Sequence, residues 1–325
     1  MKKLLFIALL LACLPVAHAD LNITVTGGQV APQPIAVVPF KAPAGAKVDV
    51  AKIIQSDLAS SGLFKPIARK DMLETPSQPN DVNFRNWQVL GANNIVIGSQ
   101  QRVGKNVKVR FYLLDVFQQR QLLGFDMPAT PPDRLRYVAH RIADLVYKKL
   151  TGVHGYFDTQ IVYVEAKGLG DARHFKLVVC DSDGRFPRVI ASSGEPLMSP
   201  AWSPDRKKIA FVGYHHGRSA IYVDTLATGA LRRVTDAPGV NGSPAWAPDG
   251  QTLAVTLSNG DNADVYKINL SNGHKQRLTT NPAIDTEPAF SPDGSTIAFT
   301  FYVWGNTEIY TMPADGSGTP QGITF

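Results

Sequence analysis

Pro200-Ala-Trp-Ser-Pro-Asp205, Pro244-Ala-Trp-Ala-Pro-Asp249 and Pro288-Ala-Phe-Ser-Pro-Asp293 are one hexapeptide written three times, 44 residues apart. Other columns keep the register: Tyr222, Tyr266 and Tyr310; Ile209-Ala-Phe211, Leu253-Ala-Val255 and Ile297-Ala-Phe299; and Thr235 with Thr279, after which Thr324 falls one residue late. Each unit holds four short apolar segments separated by turns. Pro-Asp-Gly joins the first two, because proline presets φ and glycine accepts the left-handed position of a tight hairpin. Arg206 stands in that glycine's place in the first full copy, which predicts a strained or differently shaped turn. Thr228-Gly229 and Asn272-Gly273 mark the turn between the third and fourth segments. Four strands per repeat of this length are the signature of a propeller blade.

An earlier, degenerate copy begins near Gln160. Ile161-Val-Tyr-Val164 matches the second strand, Lys176 to Val179 the third, and Gly184 with Val189 the fourth; no Pro-Ala-Trp strand precedes them. The repeats therefore read as about four blades over 156–325, the first lacking its innermost strand.

Upstream the pattern changes. Ile35-Ala-Val-Val-Pro-Phe40 reads as a strand, and Val50, Ile53, Ile54 and Leu58 recur at helical spacing. Ile95-Val-Ile97 and the stretch from Val107 to Phe117 read as strands, with Val107, Val109 and Phe111 on one face. Leu135, Val138, Ala139, Ile142, Leu145, Val146 and Leu150 form one apolar helical stripe closed by Gly152. The fold class expected is therefore multi-domain, with a small N-terminal α/β domain over 35–155 followed by an incomplete all-β propeller.

At the N-terminus Lys2 and Lys3 precede an apolar run from Leu4 to Leu14 and the small-x-small sequence Ala17-His18-Ala19, a secretory signal with cleavage expected between Ala19 and Asp20. The run is too short to span a bilayer, and no stable membrane insertion is expected. A rival cut exists, since Leu10-Leu11-Ala12-Cys13 loosely matches a lipoprotein box. The next segment alternates Leu21, Ile23 and Val25 with Asn22, Thr24 and Thr26 and stops at Gly27-Gly28. It is either an edge strand of its own domain or a strand lent to a partner's sheet.

The chain of 325 residues carries 33 Lys+Arg against 27 Asp+Glu, and the excess is scattered rather than gathered into a stripe. Nucleic acid is therefore not expected as a partner. Two cysteines cannot build a disulfide framework, and Cys180 reads as a buried structural thiol. There is no Gly-x-Ser-x-Gly, no His-Glu-x-x-His and no phosphate loop. Gly168-Leu-Gly170 lacks the third glycine of a dinucleotide fingerprint. His215-His216 is expected in a solvated loop, its side chains pointing to opposite sides. Asp249, Asp293 and Asp315 read as turn formers, and Trp202, Trp246 and Phe290 as packing between blades. No catalytic, metal or cofactor residue is assigned.

Taken together, the signal, the α/β domain with Pro34-Ile-Ala-Val-Val-Pro-Phe40, and the tandem Pro-Ala-[Trp/Phe]-[Ser/Ala]-Pro-Asp repeats resemble the TolB family, periplasmic propeller proteins of the Tol-Pal system. The resemblance implies a non-enzymatic periplasmic scaffold, monomeric within a larger complex, that supports outer-membrane integrity, constriction during cell division and protein import. It implies two partners. The lipoprotein Pal would meet the propeller face into which the loops before the Pro-Ala-Trp strands lead, here Asn241, Gly242, Ser243, Thr286 and Glu287. The C-terminal domain of TolA would take the segment Asp20, Leu21, Asn22, Ile23, Thr24, Val25, Thr26, Gly27 and Gly28. The family carries six blades where four are read here, so a piece of a longer propeller is expected, because an open ring would leave unpaired edges; the alternative is a short four-bladed ring, which would need its own closing strand. The alternative is the propeller portion of a secreted peptidase or polysaccharide lyase, whose catalytic element would lie outside these repeats; a module binding envelope glycan is a third reading.

Overall fold

The computed structural model describes residues 31–260, 262–303 and 305–324. The signal peptide with its Ala19–Asp20 cut, and the strand-like segment Asp20 to Gly28, lie outside the described residues.

The first domain is a five-stranded sheet in the order β2-β1-β3-β4-β5. Its strands are β1 (Gln33–Val37), β2 (Phe64–Pro66), β3 (Asn94–Val103), β4 (Asn106–Asp115) and β5 (Arg120–Asp126). β1 runs parallel to β2 and β3, while β3, β4 and β5 form an antiparallel meander. Helices α1 (Val50–Ser60) and α3 (Leu135–Thr151) cover one face. The expected stripe of α3 is there: Leu135, Val138, Ala139, Ile142 and Val146 are buried against Val107, Val109 and Phe111 of β4. Gly152 ends the helix in the left-handed region, φ +80°, its N–H returning to the Lys148 carbonyl. α2 (Phe84–Val89) places Trp87 on the opposite face beside Ile95 and Ile97, its indole N–H donating to Glu74 Oε1 at 2.7 Å. Both faces of β1 are thus covered, which is why that strand reads as an unbroken apolar run.

Beyond α3 the chain makes four sheets. The first has three strands, β6 (Gln160–Lys167), β7 (His174–Asp181) and β8 (Arg188–Ser193), and no inner strand before them, as the degenerate repeat predicts. Three four-stranded blades follow: β9 (Leu197–Trp202) to β12 (Ala230–Arg233), β13 (Asn241–Trp246) to β16 (Lys275–Arg277), and β17 (Ile284–Phe290) to β20 (Gln321–Gly322). In each, the Pro-Ala-[Trp/Phe] segment is the edge strand, and β9, β13 and β17 lie against one another in succession. The sheets form no closed ring, so the propeller is incomplete. Among the described residues no helix is long and apolar enough to cross a membrane.

The turns behave as the repeat predicts. Gly250 and Gly294 sit at φ +65° and +74°, and Arg206 is forced to +57° at the same place, where a side chain is strained. Asp205, Asp249 and Asp293 each accept a backbone N–H two residues on, at 3.1, 2.8 and 3.0 Å. Trp246 spans two blades, its indole N–H donating to the Ala201 carbonyl at 3.1 Å. Cys180 is buried, and burial pushes its thiol up. One expectation fails. The rings of His215 and His216 do not diverge but lie 4.1 Å apart between centroids, because His216 takes φ +50° in the β10–β11 turn, where β10 is Lys208–His215 and β11 Arg218–Thr225.

Candidate partner-binding face

The innermost strands share a distortion absent from the sequence pattern. Ser199, Ser243 and Glu287 all adopt φ near +50°, at +47°, +48° and +53°, each just before the repeat's proline. Pairing with the second strand slips at the same point, between Gly242 and Ala245 in β13 and between Thr286 and Ala289 in β17. Each inner strand therefore bulges and bends there. Left-handed backbone in a non-glycine residue costs about 1 kcal/mol or more, so three copies of it are held by their surroundings. Glu287 shows how: its N–H donates to Thr256 Oγ1 at 3.3 Å, and its carboxylate accepts from Thr300 Oγ1 at 3.2 Å. The bulges recur at the middle of the inner strands, with Met198 and Ser199, Gly242 and Ser243, and Thr286 and Glu287 exposed or half-buried.

Beneath them the lead-in loops are anchored. Asn241 is 1 % exposed; its Oδ1 accepts the Ala237 N–H at 3.1 Å and its Nδ2 donates to the carbonyls of Ala237 and Gly239 at 2.9 and 3.1 Å. Its own N–H reaches Ser219 Oγ at 3.0 Å. Asn241 thus works inside its loop, and of the expected face residues Gly242, Ser243, Thr286 and Glu287 are those solvent reaches.

Asp285 occupies the same repeat position and is fully buried. Its Oδ2 accepts from Asn281 Nδ2 at 2.8 Å, while Oδ1 has no partner. A carboxylate cannot donate, so Asn262 from the preceding hairpin does so instead, its Nδ2 bonding the carbonyls of Asn281 (3.0 Å) and Ala283. These are the counterparts of Ala237 and Gly239. Burial pushes the Asp285 carboxyl up against the bond from Asn281, and the neighbouring Asp264 carboxylate adds to the effect. Asp264 itself pairs with Arg277 at 2.7 Å.

Thr235 and Thr279 complete the repeated frame, accepting the N–H groups of Ile221 and Val265 at 2.8 and 3.0 Å. The face as built is an array of left-handed turns repeated along the three inner strands.

Comparison with known proteins agrees with this architecture. The TolB amino-terminal domain family matches residues 21–122, and the TolB β-propeller domain family matches 147–325. A Tol-Pal system protein TolB of Methylococcus capsulatus is 41% identical over 225 residues, covering 69% of this chain and 53% of the relative. Its namesake from Alkalilimnicola ehrlichii is 43% identical over 238 residues, covering 72% and 55%. The chain thus spans about half the length of the curated relatives it matches. The crystal structure of TolB from Acinetobacter baumannii superposes with a TM-score of 0.81 at 33% identity, over 90% of this chain and 72% of that one.

Proposed function

Because the chain belongs to the TolB family, whose two domain types cover nearly all of its described length, we propose that it acts as a periplasmic, non-enzymatic scaffold of the Tol-Pal system. It receives Pal on the bulged face of the propeller and offers its N-terminal segment to the C-terminal domain of TolA. The observation that carries this reading is the array of three left-handed residues at Ser199, Ser243 and Glu287. Strain repeated in the middle of all three inner strands, and held at Glu287 by side-chain bonds, supports a surface kept for recognition.

On that face Gly242, Ser243, Thr286 and Glu287 form the contact positions, and Asn241 shapes the loop that presents them. The segment Asp20 to Gly28 supplies a strand for TolA, with Leu21, Ile23 and Val25 as its side-chain anchors. Two sites on one chain let the protein link an inner-membrane partner to an outer-membrane one, in support of envelope integrity and constriction at division. Occupancy of one can alter access to the other.

The test is calorimetric titration of the chain from Asp20 with the soluble domain of Pal and with the TolA C-terminal domain. Glu287→Lys and Ser243→Lys should each weaken Pal binding at least tenfold and leave TolA binding unchanged. Removal of residues 20–28 should do the reverse. If the folded chain does not bind Pal, the assignment of the face fails.

A further inference from the structure

The junction between the α/β domain and the first blade carries a group unrelated to the partner-binding face. His140, in the middle of α3, is 3 % exposed, and its Nδ1 lies 2.7 Å from Asp57 Oδ2 of α1. Its other ring nitrogen, Nε2, is buried and has no hydrogen-bond partner. That nitrogen faces the turn after β7, where Asp183 Oδ2 is 3.9 Å away and the carboxylate of Asp181 is also near; one ligand atom from each of the three residues lies within 4.8 Å of the others. We propose that His140, Asp181 and Asp183 bind a first-row divalent cation, Zn2+ above all, which staples the α/β domain to the propeller.

Four features of the junction support the site. First, the imidazole is held as a metal-binding imidazole is held, with the remote nitrogen tied to a buried carboxylate that fixes the ring and its tautomer. Second, the 3.9 Å separation of Nε2 from Asp183 Oδ2 is too long for a hydrogen bond. It is close to the edge of about 3.4 Å expected for a tetrahedral ion with bonds of about 2.1 Å.

Third, one of the two acids stands only where it meets the histidine. The position of Asp181 is held by Thr225, Asn269 and Pro313 in the three following blades, whereas that of Asp183 is acidic again at Asp315. Fourth, the ion has a way in. A cavity of about 190 Å³ lined by His140, Asp158, Asp181 and Arg206 opens on one side, and one of about 380 Å³ bordered by Asp57, Arg136 and Asp183 on the other. The first leaves room for a water in the fourth position.

Arg136 shares Asp183 Oδ2, and the Arg185 N–H donates to Asp183 Oδ1 at 3.1 Å. With the ion in place Arg136 becomes an outer partner of the ligating carboxylate. One imidazole with two carboxylates suits Zn2+, Co2+ and Mn2+ better than thiolate-seeking ions, and the Irving–Williams order puts Zn2+ ahead among these.

The experiment uses the untagged protein in a His215→Ser/His216→Ser background, which removes the exposed histidine pair as a competing site. After stripping with chelator, Zn2+ is titrated calorimetrically, and Co2+ uptake is followed by its d–d absorption. One Zn2+ per chain is expected, with a Co2+ spectrum of low-coordinate N/O type. Asp181→Asn keeps the shape of a half-buried side chain that holds no other bond, and it should weaken Zn2+ at least tenfold and abolish the Co2+ bands. Asp57→Asn, a positioning change, should weaken Zn2+ about 10- to 100-fold and shift the Co2+ spectrum. Zn2+ uptake that is absent, or indifferent to Asp181→Asn in a protein of unaltered circular dichroism, overturns the site. Neither result depends on whether Pal binds the propeller.

Discussion

The exchange of donors between the second and third lead-in loops makes a prediction with a defined sign. In one loop Asn241 bonds two carbonyls with its own amide; in the next, Asp285 cannot, and Asn262 bonds the equivalent pair. Asn262→Ala removes both bonds, at about 1 kcal/mol each, so about 2 kcal/mol of stability is lost. Asp285→Asn restores the arrangement of the preceding repeat. Its amide accepts from Asn281 as the carboxylate does, and can donate to the orphaned carbonyls. In that background Asn262→Ala should cost less than about 1 kcal/mol, a coupling of at least about 1 kcal/mol between contacting sites.

Asp285→Asn alone also has a pH signature. The native carboxyl is pushed above its ordinary value of 3.8 by burial, so the folded protein holds the proton longer than the unfolded chain. Wild-type stability therefore falls as pH rises from about 3.8 through the native value and levels off above it, whereas the amide does not titrate. The variant's advantage is absent at low pH and full at neutral pH, about 1 kcal/mol there. Urea unfolding of the four proteins at pH 7, followed by tryptophan fluorescence, measures the cycle. An Asn262→Ala penalty equal in both backgrounds, or an Asp285→Asn advantage that is constant with pH, refutes the reasoning.

Three further outcomes can be measured on the same footing. Gly250→Ala, at φ +65° where the new methyl would meet only Pro204 Cδ at 4.0 Å, should destabilise by about 1–2 kcal/mol, while Arg206→Gly in the sister turn should stabilise by up to about 1 kcal/mol, both read as shifts in urea midpoint. Trp246→Phe keeps most of the apolar contact between blades but leaves the Ala201 carbonyl without its donor, so a loss of about 1–2 kcal/mol is expected, against about 3–5 for Trp246→Ala. Gly152→Ala should lower stability by about 1 kcal/mol through the left-handed cap of α3, with no effect on Pal titration.

The legibility of this fold follows the range of the forces involved. Hydrophobic period and turn chemistry are local, so the blades, the stripe of α3 and its Gly152 cap could be read directly. The strands β2 and β5 and helix α2 could not. β2 is three residues containing a proline, β5 is mostly exposed, and α2 buries Trp87 alone, so each is shaped by the neighbour it packs on. The turn at His216 was misread for a related reason. The rule that successive side chains diverge holds for extended backbone, and it lapses at the first left-handed residue.

The candidate face divides in the same way. The order of its strands could be read, since the repeat's proline-led segment is the edge strand. Its shape could not, because a residue before proline favours extended backbone and nothing in Ser-Pro or Glu-Pro announces φ near +50°. The burial of Asn241 was hidden for the same cause: an asparagine in a turn-rich loop looks solvated until its three bonds to that loop are seen.

The paired loops show what a repeat permits. Two equivalent turns keep the same carbonyls satisfied, one from within and one from Asn262 across the hairpin. What recurs every 44 residues is therefore the demand for donors rather than the residue that meets it. This is why the sequence columns decay at Asn241/Asp285 while the backbone does not, and why Thr235 and Thr279, whose hydroxyls accept the N–H groups of Ile221 and Val265 from the adjoining strand, remain the same residue. A position whose partner can be replaced by a neighbour is free to change its charge, and Asp285 has done so at the cost of a buried carboxylate.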